Sequence, residues 1–414
     1  MLVTALYNIV DQIFIGQGIG MLGNAATNIA FPLSTTCTAI SLLLGIGCAT
    51  NYSLHLGAGE KKESEKYAGN GIILMAIMGI FLFLITTIFL TPMLKFFGAT
   101  PDVLPYAEAY TRITAIGFPF LIANTGMSKL ILADGSPNYS MTSMLIGAIV
   151  NTILDPVFIF VFKMGMTGAA LATFLGLLLS FVMGVVYFVT HPNFLHFTFH
   201  GLSIKEAFHS MVNGTSEFVN QLAIAITTIV FNRSALLFAG EDGVAAYGTI
   251  MYVSFIFVAI FIGYSIGSAP IISYNYGSGN NKELQNMSKK SLSLISIWAV
   301  GLFVLAQVIS TPLATIFVGY DHDLFLLTRH GFRIYCVTFL INGFNIYGSA
   351  FFTALSNGLI SATISFLRTL IFQIAAILIL PAIFGINGIW IAVAMAELLT
   401  LCFTATFFIK QRKV

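Results

Sequence analysis

Charged residues are scarce in this sequence. Asp, Glu, Lys and Arg make up 8% of its 414 residues, whereas they make up about 25% of a typical soluble domain. Hydrophobic residues account for 57%, and the apolar runs at residues 71–92, 171–190 and 291–311 each reach the roughly 20 residues with which a helix crosses a bilayer. The composition excludes a soluble globular protein and predicts an all-α polytopic membrane protein.

The sequence also lacks the motifs of several other functions. A net charge of +2 without a basic cluster offers no surface for nucleic acid. The four cysteines lie in apolar segments at unrelated spacings, which indicates neither a disulfide framework nor a metal site. His196 and His200 lie in a predicted loop, where a spacing of four does not place two metal ligands on one helix face. The glycines at residues 16–20 lack the Lys-Ser/Thr of a phosphate-binding loop. We therefore expect no nucleic acid, no metal and no ATP.

Apolar runs separated by polar, Gly or Pro residues indicate about twelve membrane spans. If alternate loops face the cytoplasm, eleven of the 18 Lys and Arg residues fall on the cytoplasmic side. Because cytoplasmic loops carry an excess of Lys and Arg, this distribution predicts that both termini are cytoplasmic.

The chain also carries an internal repeat. A shift of 220 residues superposes GAGEKKE at residues 57–63 on GSGNNKE at residues 277–283. The same shift, without gaps, pairs glycines along most of the chain: Gly20 with Gly240, Gly59 with Gly279 and Gly165 with Gly385. Six spans in each half give both halves the same orientation, as in transporters built from parallel repeats with a site between two bundles.

The repeat predicts the domain organisation. We expect an N-terminal six-helix lobe at residues 1–190, a cytoplasmic connector at residues 191–209 and a C-terminal six-helix lobe at residues 210–414. Residues 201–220 would pair with positions at or before Met1. We therefore expect that the first helix is shortened at its N-terminus and that Met1 is an internal methionine of a longer protein, which the intact mass of the native protein would test.

Four segments resemble the multidrug and toxic compound extrusion (MATE) family, particularly its bacterial MepA-like branch. They are YNIVDQIFIGQGIG at residues 7–20, GNAATNIAFPL at 23–33, ILADGSPN at 131–138 and NTILDPVFIF at 151–160. The resemblance implies two six-helix lobes in the bacterial cytoplasmic membrane. It also implies a secondary active antiporter that exports amphipathic or cationic drugs and toxic compounds in exchange for protons or sodium ions by alternating access.

The resemblance also sets expectations about partners. Small amphipathic or cationic substrates and membrane lipids are expected to bind. The coupling ion, H⁺ or Na⁺, takes the place of a cofactor, and the chain is expected to be a monomer.

Four acids fall within or near the ends of apolar spans: Asp11, Asp155, Glu217 and Glu397. A charged carboxylate at bilayer depth costs at least about 2.5 kcal/mol, so an acid there is a functional hypothesis by default. Burial favours the neutral form of a carboxyl group, which suits it to carry a proton. Ionised carboxylates together with amide and hydroxyl oxygens would instead suit sodium. The sequence leaves both ions open.

Asp155 is the strongest candidate, because Pro156 follows it and frees an upstream carbonyl. Asn151 lies four residues earlier, on the same helix face. By resemblance, the cation site of the family's N-terminal lobe corresponds to Asp11, Asn151, Asp155 and Thr173. The alternative is that Asp11 is a wetted helix-end acid and that Asp155 is a helix-kink residue satisfied by neighbouring hydroxyls.

The second half lacks equivalent polar groups. The shift of 220 sends Asp11 to Phe231, Asn151 to Ile371 and Asp155 to Ala375. Coupling is therefore expected mainly in the first lobe.

A polar stripe in the seventh span is a candidate lining of the substrate cavity. Its members Asn213, Glu217 and Asn220 follow at i, i+4 and i+7, and Arg233 lies further along. An equally good alternative is that Glu217 lies near the cytoplasmic mouth or pairs with Arg368. A structural role is favoured for Glu397.

Two other functions are open to a protein of this composition. A flippase for lipid-linked precursors, from the same superfamily, would need a more cationic cavity, and only Arg233 and Arg368 are available for it. An intramembrane enzyme would need clustered acids or a Ser/His pair on facing helices, and neither is found. We expect a transporter without catalytic residues.

Overall fold

The computed structural model describes residues 2–190, 203–319 and 321–411. Within these residues the chain is helical and contains no strand. Helices suit this sequence because a helix satisfies its own backbone hydrogen bonds, which a lipid environment requires. The chain folds into two compact units, Met1–Gly214 and Thr215–Val414. Most of the predicted connector, residues 191–202, lies outside the described residues.

The first unit is built from eight helices and the start of a ninth within the described residues. They are α1 (Leu2–Gly18), α2 (Met21–Gly57), α3 (Lys61–Ile88), α4 (Leu90–Phe96), α5 (Leu104–Ile116), α6 (Phe118–Ala133), α7 (Pro137–Pro156) and α8 (Gly165–Thr190). The ninth is α9 (Ile204–Gly240). After α7 the chain continues as a π-helical turn, Val157–Val161.

The second unit contains the rest of α9 and seven further helices. A break at Ala239 and Gly240 separates α9 from the next helix. The seven are α10 (Asp242–Gly277), α11 (Asn281–Val318), α12 (His322–Tyr335), α13 (Asn342–Ala354), α14 (Gly358–Phe366), α15 (Gln373–Phe384) and α16 (Ile386–Gln411). A 3₁₀ turn, Cys336–Leu340, joins α12 to α13, and a π-helical turn, Leu367–Phe372, joins α14 to α15.

The number of spans agrees with the prediction of about twelve. Ten helical segments of the described chain are long and apolar enough to cross a membrane, and α5 with α6, bent by 50°, would form an eleventh. The remaining one is α1, whose 17 residues lie at the lower limit for a spanning helix. The predicted all-α polytopic class is therefore confirmed.

Turns of the first half of the chain recur at the matching positions of the second half, as the sequence predicts. Gly20, Gly59 and Gly165 have φ angles of 91°, 79° and 57°, and their partners at a shift of 220 have 63°, 69° and 58°. Left-handed backbone of this kind favours glycine. The matched turns confirm the internal repeat.

The prediction that the register has no gaps is wrong in the stretch that contains α6 and the start of α7. Ser128 and Ser140 join these helices through their hydroxyls at 2.7 Å. The corresponding pair in the second unit, Ser349 and Ser361 at 2.9 Å, lies at a shift of 221. Asn151 and Asp155 fall on apolar residues at either shift, so the absence of their counterparts in the second unit stands.

Close backbone contacts set the packing of the first unit. A Cβ at Gly45 would lie 2.8 Å from the Cα of Gly126, and one at Gly147 would lie 2.7 Å from the carbonyl oxygen of Gly176. Small residues at such crossings let membrane helices approach closely and pack by van der Waals contact. Glycine at these crossings therefore allows α2 to pack closely on α6, and α7 to pack closely on α8.

The start of α9 belongs to the first unit. A Cβ at Gly47 would lie 1.9 Å from the carbonyl oxygen of Ser210, and one at Gly214 would lie 1.9 Å from that of Leu43. The Asn51 amide donates to the Ser210 hydroxyl at 3.4 Å. The backbone of α9 up to Gly214 therefore lies directly on α2.

Candidate functional site

The four residues expected at the cation site lie on three helices of the first unit that pack together. Asp11 is on α1, Asn151 and Asp155 are on α7, and Thr173 is on α8, while α7 packs against both of the other helices. Asp11, Asn151 and Asp155 are 8%, 3% and 0% exposed. The structure therefore buries these polar side chains within the helix packing.

The carboxyl groups of Asp11 and Asp155 are close enough to interact directly. Ionised carboxylates only accept hydrogen bonds, so a bond between them requires that one carries a proton. One turn earlier on α7, the Asn151 side-chain amide donates a long hydrogen bond of 3.5 Å to the Thr173 hydroxyl. The four residues thus form two pairs, joined through the one helical turn between Asn151 and Asp155.

The cluster contains four buried oxygen atoms without a hydrogen-bond donor. They are Oδ1 of Asp11, Oδ1 of Asn151, and Oδ1 and Oδ2 of Asp155. Neither aspartate forms an ion pair with a basic residue in the described part of the chain. Two adjacent carboxylates disfavour each other's ionisation. The site can therefore accept positive charge, either as a proton shared by the carboxyl groups or as a cation bound by oxygen ligands.

The α-helix changes to a π-helical turn directly after Asp155 and Pro156. Pro156 has no amide hydrogen to donate, and the next five residues form the π-helical turn Val157–Val161. Such turns often occur at functional sites. A Cβ at Gly18 would lie 2.2 Å from Cγ2 of Ile159, so the end of α1 lies directly against this turn.

Sequence reasoning missed a polar link that holds α1 in place. The Gln12 side-chain amide donates to the Thr27 hydroxyl at 3.0 Å, and that hydroxyl lies 3.1 Å from the Gln12 carbonyl oxygen. The link joins α1 to α2 one residue from Asp11. In the sequence, this link is indicated only by two polar side chains, Gln12 and Thr27, in mainly apolar helices.

The residues expected at the substrate cavity have different surroundings. Asn213 is 1% exposed, and neither its amide nitrogen nor its oxygen has a hydrogen-bond partner. Glu217 and Asn220 are half-buried, whereas Arg233 is exposed. Asn213 belongs to the first unit and the other three to the second. Their role in binding a substrate stays a prediction.

Arg368, suggested above as a partner for Glu217, pairs with Glu397 in the structure. The distance from Arg368 Nε to Glu397 Oε1 is 3.2 Å. The Asn345 amide donates to Glu397 Oε2 at 2.7 Å, and the Thr404 hydroxyl donates to the Asn345 oxygen at 2.9 Å. Because the arginine neutralises this acid, the second unit holds its buried carboxylate in a structural network.

A third buried acid of the first unit, Asp134, has hydrogen-bond partners. Asp134, 1% exposed, accepts hydrogen bonds from the Tyr52 hydroxyl at 2.8 Å and the Tyr187 hydroxyl at 2.7 Å. These contacts tie the turn between α6 and α7 to α2 and α8. The sequence does not predict this network, because the only sign of it would be a buried position for the Asp of ADGSPN.

No group of three or more metal-binding side chains occurs in the described residues. His196 and His200 lie outside them. His209 is exposed, with its Nδ1 3.4 Å from the Tyr67 hydroxyl. The histidines that are described therefore offer no metal centre.

Comparison with known proteins places this arrangement among membrane transporters. The family model described as MatE matches residues 1–157 and 216–379. The multidrug export protein MepA of Staphylococcus haemolyticus is 25% identical over 414 residues, 99% of this chain and 89% of that protein. MepA of Staphylococcus aureus is 24% identical over 99% of this chain and 90% of that protein.

A solved structure described as the outward-facing conformation of a multidrug resistance MATE family transporter of the MOP superfamily superposes with a TM-score of 0.92. The superposition covers 100% of this chain and 94% of that one, at 21% identity. It confirms the fold, and the matches as a whole confirm the prediction of a transporter rather than an enzyme. Since the family model covers well over half of the residues, the chain belongs to the MatE family.

Proposed function

We propose that this protein is a secondary active antiporter that exports amphipathic or cationic compounds in exchange for protons or sodium ions. The observation that carries the proposal is the pair Asp11 and Asp155, buried side by side without a basic partner in the described chain. An acid pair of this kind is costly unless it binds positive charge. The names of the full-length relatives, multidrug export proteins, support the direction and the substrate class.

The coupling follows from the charge of this pair. A proton or a sodium ion between the carboxyl groups removes their repulsion and favours close packing of α1 on α7. Its release leaves two like charges in contact, which favours an arrangement with these helices further apart. Because the ion binds the two arrangements with different affinity, its gradient shifts the population between them. The π-helical turn after Pro156 is the element in α7 that we expect to change.

Further parts of the proposal come from the sequence. Both termini are placed in the cytoplasm by the Lys and Arg distribution, and the substrate is proposed to bind near Asn213, Glu217, Asn220 and Arg233. The chain is proposed to act as a monomer in the bacterial cytoplasmic membrane and without ATP. A flippase for lipid-linked precursors is less well supported, because one of its two candidate cations, Arg368, is paired with Glu397.

Transport in proteoliposomes tests the proposal. Vesicles containing the purified chain are loaded with a fluorescent organic cation and given a pH gradient or a sodium gradient separately. We expect dye movement in one of the gradients, its loss in Asp155→Asn, and its retention in Asp102→Asn, which makes the same change at an exposed residue before α5. Full gradient-driven transport by Asp155→Asn would refute the assignment of this residue.

A further inference from the structure

A cavity of about 260 Å³ opens where α3 ends and α5 passes it in the first unit. Its lining combines polar and apolar side chains: Thr87, Ile88, Leu90, Thr91, Pro92, Arg112 and Ala115. Its volume equals that of roughly nine water molecules. The cavity is separate from the Asp11 and Asp155 pair, and the proposed function does not use it.

The cavity lies at one boundary of the bilayer. Lysines mark the beginning of α3 and end with Lys66. Thr87 follows Lys66 by 21 residues, which a helix extends over about 32 Å. The hydrocarbon core is about 30 Å thick. Thr87 and the cavity therefore lie at the polar boundary opposite the lysine-rich end of α3.

The arginine in the cavity has no acidic ion-pair partner among the described residues. Arg112 occurs in none of the ion pairs formed by the described residues. Its guanidinium group presents five donor hydrogens in a planar fork that matches a phosphate. An anion in the cavity would supply the acceptors that the protein does not.

An acid lies beside the arginine without neutralising it. Glu108 precedes Arg112 by four residues and so shares its face of α5. Its carboxylate instead accepts a hydrogen bond from the hydroxyl of Thr91, which lines the cavity. The positive group of Arg112 thus lines the cavity, and the negative group of Glu108 lies next to it, bonded to the lining residue Thr91. A ligand that carries the opposite pair of charges could meet both.

The surface next to the cavity is apolar. Ile88 is 70% exposed, Phe89 is 53% exposed and Ile116 is 46% exposed. A soluble phosphate compound would leave these side chains uncovered, whereas the acyl chains of a lipid would cover them. The surroundings therefore favour a lipid over a water-soluble ligand.

We propose that the cavity binds the headgroup of a zwitterionic phospholipid, with its phosphate at Arg112 and its ammonium group at Glu108. The acyl chains lie along Ile88, Phe89 and Ile116. The lipid belongs to the leaflet opposite the lysine-rich end of α3. Phosphatidylethanolamine has both charges of this headgroup, whereas phosphatidylglycerol has the phosphate without the ammonium.

Native mass spectrometry of the full chain tests the site. The delipidated protein is offered phosphatidylethanolamine and phosphatidylglycerol in equal amounts, and the lipids retained at rising collision energy are counted. An exposed charge pair contributes up to about a fivefold difference in binding. We expect up to about fivefold preference for phosphatidylethanolamine in the unmodified chain and up to about fivefold weaker retention of it in Arg112→Gln.

Two further variants separate the two charges. Glu108→Gln is expected to abolish the preference between the lipids, because the ammonium loses its partner and the anionic lipid loses a repulsive neighbour. Lys95→Gln, an exposed charge in the last turn of α4 outside the lining, is expected to behave as the unmodified chain. Arg112→Lys should retain part of the binding, which shows that loss in Arg112→Gln reflects charge and not misfolding.

Three results would overturn the proposal. The first is unchanged retention in Arg112→Gln, and the second is equal binding of both lipids with no effect of Glu108→Gln. The third is equally tight binding of glycerophosphoethanolamine, which lacks acyl chains and would make the ligand a soluble phosphate compound. Gradient-driven dye transport by Arg112→Gln is expected to continue, so failure of the lipid site and failure of the transport proposal are distinguishable.

Discussion

The buried carboxyl groups of the described chain have three different environments. Asp134 accepts two tyrosine hydroxyls, Glu397 is paired with Arg368, and Asp155 faces Asp11 without a donor. The first two already have the hydrogen bonds or charge that a buried carboxylate requires. Of these three cases in the described chain, only the Asp11 and Asp155 pair has neither a hydrogen-bond donor nor a counter-charge at Asp155, which is why we propose it as the coupling site.

Removing one carboxyl of the unmatched pair should separate stability from coupling. Asp11→Asn removes the repulsion between the two groups, so we expect an unchanged or higher melting temperature by circular dichroism, which reports the helices of both units. The same variant loses half of the ion site, and we expect ion-driven dye transport to fall between about 5-fold and 150-fold. A lower melting temperature together with normal transport would show that Asp11 is only structural.

The charge pair of the second unit should give the opposite result. Glu397→Gln leaves Arg368 buried without a counter-charge, a change that costs about 3–5 kcal/mol in comparable pairs. We expect a clear loss of thermal stability, measured in the same assay. Replacing both residues with apolar ones, Arg368→Met with Glu397→Leu, should restore most of it. No loss in Glu397→Gln would mean that water or lipid already screens Arg368.

At the scale of the helix, the position of the ion site depends on how closely α7 approaches α8. A Cβ at Gly147 would lie 2.7 Å from the Gly176 carbonyl oxygen and 1.9 Å from the Ser180 hydroxyl oxygen. The serine can rotate, but the backbone oxygen cannot move without moving the helix. Any side chain at Gly147 therefore displaces α7, and with it Asn151 and Asp155 one and two turns further on.

Gly147→Ala is accordingly expected to lower thermal stability and dye transport together. Overpacking of this kind typically costs about 1–3 kcal/mol. Gly248→Ala is the matched control, because nothing lies within 4 Å of a Cβ at Gly248 and alanine favours a helix by up to about 1 kcal/mol. A Gly147→Ala protein as stable and active as this control would show that the two helices separate easily.

The sequence predicted helices and motif residues well, and it predicted contacts between distant helices poorly. Asp11 and Asp155 could be predicted from the sequence because each is an acid in an apolar run, and such a run is a local property of the chain. The pairing of Arg368 with Glu397 and of Gln12 with Thr27 depends on which helix faces overlap, which periodicity does not determine. The one-residue change of register in the stretch that contains α6 and the start of α7 was missed because glycines match at a shift of 220 on both sides of that stretch.

At the scale of the whole molecule, the two repeats have diverged in charge. The first unit has the acid pair Asp11 and Asp155 without a counter-charge, whereas in the second unit the buried acid Glu397 is neutralised by Arg368. Duplicated folds need not have duplicated chemistry, since function lies in the site and not in the fold.

This asymmetry predicts that ions are exchanged by one unit. The double variant Arg368→Met with Glu397→Leu should transport dye with the same number of coupling ions per dye molecule as the unmodified chain. Simultaneous measurement of dye and ion flux in proteoliposomes gives that ratio. A changed ratio would show that the second unit also carries coupling ions.

The close contact between the start of α9 and α2 has a consequence for biosynthesis. Gly47 and Gly214 let the two backbones meet, so the first unit includes chain that follows its six spans. While the ribosome is still extending the polypeptide, membrane insertion of those spans leaves a groove on α2 unfilled. The first unit can therefore complete its packing only after residues up to Gly214 have been synthesised and inserted, so the start of the seventh span is needed to finish the folding of the first six.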